Sequence, residues 1–427
     1  MFKNVNDLIA FIESQRRITP KVSLKRFKKI CELYGNPQNN INYIHVGGTN
    51  GKGSTIAFLK SILRNANYNV ATFISPYIIK FNERITYNDD YITDEEILEI
   101  GNYILSKYYL LDEHNLDHLS FFEFVTLMAF IYFSRLKNLD IVLLEVGIGG
   151  LLDVTNIITP LISVITSVDY DHMNVLGNTL QEIAINKLGI VKESRPLVTI
   201  ENAEINDLII NTTTAKNSKL VLVKREDIKN IKLSISSTSF SYKQYKDLLL
   251  SLLGKHQTEN AAIALEVINL LNHFYNFEIS REAIYQGLAN TFWPGRLQVV
   301  SKEPLVILDG AHNKDGIRRL TQFISEVKGD DKVRIIFAVS ANKQKEEMIP
   351  MLEQVADEII FTSFHYKRSD DASNLLELSN HPNKRVEDDL EKLIMEAETS
   401  DMINVFCGSL YFVSEIYNLI LIQKNKN

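Results

Sequence analysis

Cysteine is scarce in this chain. Cys31 and Cys407 are the two in 427 residues, they stand near opposite ends, and they form no metal-type spacing. That excludes a disulfide framework or a zinc ribbon and implies a reducing compartment. Long apolar runs are missing too: the longest, Phe121 to Phe133, is interrupted by Glu123 and is too short to span a bilayer. The opening MFKNVNDLIAFIES is amphipathic and lacks an apolar core followed by a cleavage site, so it does not read as a signal peptide. A cytoplasmic protein with no membrane partner is expected. Positive charge is not in excess, since 46 Lys and Arg face 53 Asp and Glu for a net charge of -7. This excludes the basic footprint of a general nucleic-acid binder. Internal repeats and low-complexity segments are absent.

What is present is a long, ordinary globular composition, 45% hydrophobic and 23% charged, too large for one core and suited to two or three domains. Its informative stretch is YIHVGGTNGKGST, Tyr43 to Thr55. An apolar run ending at Val46 predicts a buried parallel strand. Glycines follow, and then Ile56, Ala57, Phe58, Leu59, Ile62 and Leu63 at helical spacing. Strand, glycine loop and helix in that order cradle phosphates, because inward-turned backbone N–H groups and a helix N-terminus both favour anions. Lys52 can reach a terminal phosphate, and Ser54 can offer its hydroxyl to magnesium. The common phosphate-loop pattern is matched imperfectly, since Gly53 separates Lys52 from Ser54. A glycine-rich surface turn is the plain alternative.

Other strand ends carry chemistry-bearing residues. Val70 to Ile74 reads as a strand stopped by Ser75-Pro76, and Ile141 to Val146 as a second buried strand carrying Glu145. A carboxylate in such a strand needs a cation, and a strand-end acid facing a phosphate loop is a usual magnesium anchor. Leu161 to Val168 predicts a third strand leading to Asp169, Tyr170, Asp171 and His172, so Ser75, Glu145 and His172 are expected at one sheet edge. Gly147 and Gly149 begin a dinucleotide fingerprint, but Leu152 stands where its third glycine belongs, which argues against a nicotinamide cofactor.

The remaining segments bear less chemistry. The basic run Arg16, Arg17, Lys21, Lys25, Arg26, Lys28 and Lys29 reads as a solvated helix face or, alternatively, as an attractor for an anionic substrate. His114 and His118 have i, i+4 spacing but sit in a polar segment with no acidic partner at the position a zinc helix would use, so they read as surface. Residues 196 to 250 read as short strands and turns. Trp293-Pro294-Gly295-Arg296 marks a linker, after which strands at 305–308, 334–339, 358–361 and 403–406 alternate with helices. The expected fold is α/β: a P-loop ATPase-type doubly wound N-terminal domain, 1–296, and a smaller Rossmann-like α/β C-terminal domain, 297–427.

Taken together, GGTNGKGS (47–54), SPYIIKFNERI (75–85), FFEF (121–124), LEVGIGG (144–150), DVTN (153–156), DH (171–172), NKLGIVK (186–192), HQTENA (256–261), WPGR (293–296), DGAHN (309–313) and GSLY (408–411) resemble the folylpolyglutamate synthase and dihydrofolate synthase family, relatives of the muramyl peptide ligases. The resemblance covers nearly the whole chain in the family's order. It implies that Thr49, Asn50, Gly51, Lys52, Gly53 and Ser54 hold ATP, joined by Asn260, Arg296, Asp309 and His312. It implies Mg2+ on Ser54, Ser75, Glu145 and His172, with Lys187 as a carbamylated lysine and a further metal ligand. Lys52, His172, Lys187 and Arg296 would serve catalysis. Phe121, Phe122, Glu123, Phe124, Leu152, Asp153 and Val154 would line the pterin site. Two departures stand out: many members have Arg where this chain has Leu151, and Glu where it has Asn186. The first leaves open whether dihydropteroate is accepted.

The activity implied is ATP-dependent addition of L-glutamate to the γ-carboxylate of a folate through an acyl phosphate, by a monomer acting on small molecules. Dihydrofolate synthase activity, a muramyl-type ligase and a non-catalytic ATP-binding switch are the alternatives. No cysteine or serine nucleophile is needed for this chemistry, and no such constellation is found.

Overall fold

Predominantly apolar segments become strands, and the central ones of the first sheet are buried along their whole length. Its strands are β1 (Tyr43–Gly47), β2 (Val70–Phe73), β3 (Ile85–Tyr87), β4 (Asp90–Tyr91), β5 (Ile141–Glu145), β6 (Ile162–Ile165), β7 (Leu197–Ile200) and β8 (Leu220–Val223). The order across the sheet is β4-β3-β2-β5-β1-β6-β7-β8; all pairs are parallel except β2 with β3 and β3 with β4. The chain winds outward from β1 to one side and later to the other. The carboxyl ends of β1, β5 and β6 therefore flank the crevice where ligands bind in such sheets.

The computed structural model describes residues 1–16, 24–77, 79–366 and 368–426. It separates into two units, Met1–Arg225 with Asn260–Gly287, and Glu226–Glu259 with the chain from Leu288 onward. The sequence-based boundary after Arg296 differs from these cuts. Residues 226–259 join the second unit because Leu233 and Leu253 pack on its core beside Ile307 and Phe337.

In the first unit, Tyr43, Ala71, Phe73, Val142 and Leu144 project from one sheet face into a core shared with Phe124, Met128 and Phe130 of the helix Phe121–Arg135. Each of the larger apolar side chains among them, such as Phe73, Val142 and Leu144, contributes about 1.5–3 kcal/mol when fully buried. That helix begins where its sequence permits: Ser120 and Glu123 form a capping box. Thr93 with Glu96 and Thr179 with Glu182 do the same for the helices Asp94–Ser106 and Leu180–Leu188.

The second unit holds a three-stranded antiparallel sheet, β9 (Ile228–Leu233), β10 (Thr238–Tyr242) and β11 (Tyr245–Leu250), ordered β11-β10-β9. Beside it in the chain come β12 (Gln298–Lys302), β13 (Leu305–Asp309), β14 (Val333–Phe337), β15 (Glu358–Phe361), β16 (Lys384–Val386) and β17 (Ile403–Cys407), ordered β12-β13-β17-β14-β15-β16. This sheet is parallel apart from β12.

Several expectations change. Residues 206–215, expected among strands and turns, form the helix Asn206–Ala215. Its NDLIINTTTA composition is poor in helix formers, and burial of Ile209 and Thr213 on one face overrides that preference. β6 stops at Ile165, well short of Val168. Arg26 belongs neither to a solvated face nor to an anion attractor: its guanidinium is paired with buried Glu123 and donates to the carbonyls of Asp117 and His118. Arg17 and Lys21 of the same run, and Ile78 of the SPYIIKFNERI segment, lie outside the described residues. Among the described residues no helix is long and apolar enough to cross a membrane.

Candidate active site

β1 runs directly into the glycine loop, and the helix Lys52–Asn65 opens behind it. Gly48 (φ 147°) and Gly51 (φ 88°) adopt backbone conformations that side chains rarely tolerate. Both also sit too close to neighbours for a side chain. A Cβ on Gly48 would lie 2.0 Å from Thr166 Oγ1, and one on Gly51 2.3 Å from Asn260 Oδ1. The loop is pinned by the polar segment after β6. Thr49 N donates to the Ser167 carbonyl (2.8 Å), Asn50 N to Ser167 Oγ (3.0 Å), and Thr166 Oγ1 to the Asn50 carbonyl (2.6 Å). Lys52 Nζ folds back over the loop, donating to the carbonyls of Gly48 (3.2 Å) and Thr49 (3.3 Å). A fixed loop, an ammonium above it and the positive end of a 14-residue helix make a site for a polyanion.

Next to this cradle, Glu145 ends β5, directly across from Val46 of β1. It is 4% exposed, and its Oε2 accepts the backbone N–H of Ser75 at 2.8 Å. Ser54 in the first helical turn is equally buried. Hydroxyl and carboxylate oxygens suit magnesium, which takes few protein ligands and completes its shell with water and phosphate oxygens. Among the described residues no group of three or more His, Cys, Asp or Glu could hold a metal ion.

His172 does not leave a strand as expected. It lies beyond the end of β6 in a left-handed conformation (φ 50°), at the N-terminus of the short helix Met173–Leu176, with its side chain 43% exposed and Nε2 4.0 Å from Asp171 Oδ2. Lys187 is the opposite case. Its side chain is buried in the helix Leu180–Leu188, and burial, reinforced by the charge of Lys52 and opposed by Asp171, pulls its pKa down to about 7. A neutral amine is thus populated there at neutral pH.

The aromatic quartet divides by role. Phe124 is core. Glu123 accepts from Ser120 N (2.9 Å) and Oγ (2.7 Å) and pairs with Arg26, so its carboxylate anchors the helix instead of facing a ligand. Half-buried Phe121 faces the Arg84 guanidinium at 5.2 Å. Phe122 packs against Phe73 and over Gly147, where an added Cβ would meet its Cζ at 2.6 Å. Leu152 is exposed, Val154 is buried in the core, and Asp153 is buried in the loop's own hydrogen bonds. Asp153 Oδ2 accepts from Ile148 N (3.0 Å) and Oδ1 from Thr155 N (3.0 Å) and Oγ1 (2.6 Å); burial raises its pKa despite these bonds.

This arrangement has close counterparts. Residues 46–268 match the Mur ligase middle domain and residues 295–410 the Mur ligase glutamate ligase domain. Over 425 residues the chain is 37% identical to the dihydrofolate synthase/folylpolyglutamate synthase of Bacillus subtilis, covering 97% of this chain and 99% of that one. The chain belongs to the Mur ligase family, in its folylpolyglutamate and dihydrofolate synthase branch. The folylpolyglutamate synthase of Thermotoga maritima superposes with a TM-score of 0.85 at 30% identity, over 98% of this chain and 97% of that one. Escherichia coli FolC in complex with DHPP and ADP gives a TM-score of 0.86 at 26% identity, over 99% of both chains.

In this Mur ligase family member the second unit carries the other expected residues. Asp309 ends β13, and its buried carboxylate accepts from Leu297 N (2.7 Å) and Ala311 N (2.9 Å). Burial raises its pKa while Arg296 opposes the shift. His312 Nδ1 donates to the Gly310 carbonyl at 2.8 Å, which fixes the orientation of the ring. Arg296 lines a cavity of about 400 Å³ with Phe292 and Trp293. Sequence reasoning overlooked Thr166 and Ser167, which hold the phosphate loop; the available signal was a run of small hydroxyl residues directly after an apolar strand.

Proposed function

We propose that this protein is an ATP-dependent amide ligase that joins L-glutamate to the γ-carboxylate of a folate. The observation that carries the reading is the meeting of the Lys52 loop with Glu145 and Ser75 at one sheet edge, in a chain similar over 97% of its length to a dihydrofolate synthase/folylpolyglutamate synthase. A carboxylate is a poor electrophile, so the γ-phosphoryl group of ATP passes to it first and gives an acyl phosphate. Attack by the glutamate amine then releases phosphate.

In this reading Thr49 to Ser54 bind the triphosphate, Lys52 and Arg296 offset charge on the transferring group, and Asn260, Asp309 and His312 contact the nucleotide. Ser54, Ser75, Glu145 and His172 would hold Mg2+, whose chemistry when bound is neutralisation of phosphate charge. Buried Lys187 has the neutral amine that carbon dioxide requires: N–C bond formation and loss of one proton give a carbamate, an anionic oxygen ligand. Phe121, Phe122, Leu152 and Asp153 form the acceptor wall. Residues 1–296 would serve ATP, metal and folate, and 297–427 would bind glutamate and contribute to the ATP site, in a cytoplasmic monomer.

Dihydropteroate is the second acceptor to consider, because the Bacillus subtilis relative carries both names and exposed Leu151 adjoins the acceptor loop. The decisive experiment incubates purified protein with ATP, magnesium, labelled glutamate and a panel of folates and pteroates, followed by mass analysis. A new amide on folate supports the reading. ATP hydrolysis with no amide on any acceptor overturns it.

A further inference from the structure

We propose that His45, unused in the scheme above, is a positioning residue that locks the acceptor loop, residues 147–154, to the strand that delivers the phosphate loop. The inference rests on the proposed role of that loop as the folate wall. His45 is the middle residue of β1, fully buried, with Leu144 and Ser163 as its strand partners. It projects to the same face as Tyr43, toward the core that contains Val154 and Ile157. There its Nε2 lies 2.8 Å from Thr155 Oγ1, a residue 110 positions away.

The direction of the hydrogen bonds follows from the acceptor at the far end. Asp153 Oδ1 takes the Thr155 hydroxyl proton at 2.6 Å, and Asp153 Oδ2 takes the Ile148 N–H at 3.0 Å. With its proton given to Asp153, Thr155 Oγ1 can only accept from His45. The imidazole is therefore the Nε2–H tautomer, and its Nδ1 lone pair is buried without a partner. An apolar residue would fill this space and leave no orphan acceptor. What the imidazole adds is one N–H that orients Thr155, which orients Asp153, which gathers the turn on which Phe122 rests.

The test compares His45→Phe, His45→Gln, Thr155→Val and the double variant His45→Phe/Thr155→Val. His45→Phe should raise KM for the folate acceptor about tenfold while KM for ATP changes less than twofold. His45→Gln, which keeps a donor, should recover most of the loss. In the substrate-free protein, amide hydrogen exchange across 146–156 should quicken in His45→Phe and Thr155→Val, and the double variant should be no worse than either. Equal changes in both KM values, unchanged exchange in the loop, or additive losses would each overturn the proposal. If His45→Phe does not fold, Thr155→Val decides alone. The exchange readout needs no turnover, so a failed relay is distinguishable from a failed ligase assignment, which would instead show as no amide product from the wild-type protein.

Discussion

The carboxylate of Glu145 receives the backbone N–H of Ser75 at 2.8 Å, tying the end of β5 to the segment just past its neighbour β2. Glu145 is thus a hydrogen-bond acceptor for the chain and, in the proposed scheme, would also offer an anionic oxygen to a cation. The substitution Glu145→Gln separates these roles, because its amide oxygen can still accept from Ser75. Turnover should fall at least about 100-fold with the melting temperature nearly unchanged, as read by steady-state kinetics across a magnesium series and by calorimetry. Turnover within a few-fold of wild type would remove the metal role.

Lys187→Ala should lower turnover sharply and leave nucleotide binding measurable. Small carboxylic acids should restore part of the activity by supplying an oxygen ligand in the vacated space. With labelled bicarbonate, wild-type protein should show a carbamate carbon signal that the variant lacks. Unaltered turnover in Lys187→Ala would remove its metal role.

The Arg26 and Glu123 pair predicts a stability effect without a matching catalytic one. Both side chains are largely buried, so Arg26→Met leaves a carboxylate short of its cation and should cost about 3 kcal/mol. Urea unfolding gives the magnitude. KM for ATP should stay within twofold; a large rise at full stability would restore the anion-attracting role.

Burial shifts the pKa of His45 from 6.5 to about 3, with Lys192 adding to the fall. Between these values the unfolded chain binds a proton that the folded chain refuses, so this residue's contribution lowers stability as pH drops, by up to about 1.4 kcal/mol per unit. Above 6.5 it has no slope. His45→Gln lacks the term, and Asp153 and Lys192 titrate in both proteins. The stability difference between wild type and His45→Gln should move in the variant's favour as pH falls from about 6.5 to about 4. A difference independent of pH in chemical denaturation would contradict the neutral buried imidazole.

The phosphate loop was legible because its signal is local. Glycines, Lys52 and the helix that follows are neighbours in sequence, and a glycine at 51 is demanded by its own backbone as well as by Asn260. The strands β1, β5, β13 and β17 were legible for a similar reason, since burial on both faces leaves an unbroken apolar run. His172 was misread because the strand was extended through Thr166 and Ser167 to Val168, whereas sheet pairing stops at Ile165 and those two hydroxyl residues turn to hold the glycine loop.

By itself, then, the sequence determined the strand cores, the phosphate loop and the strand-end residues Ser75 and Glu145, because propensity and patterning act over a few residues. Tertiary structure alone decided which polar side chains serve the fold. Glu123 meets Arg26 across 97 positions, and His45 meets Thr155 across 110. It also decided that Asn206–Ala215 is a helix and that residues 226–259 join the second core. In each case the governing energy is burial or a hydrogen bond made to a distant partner, and no local pattern of residues encodes who that partner is.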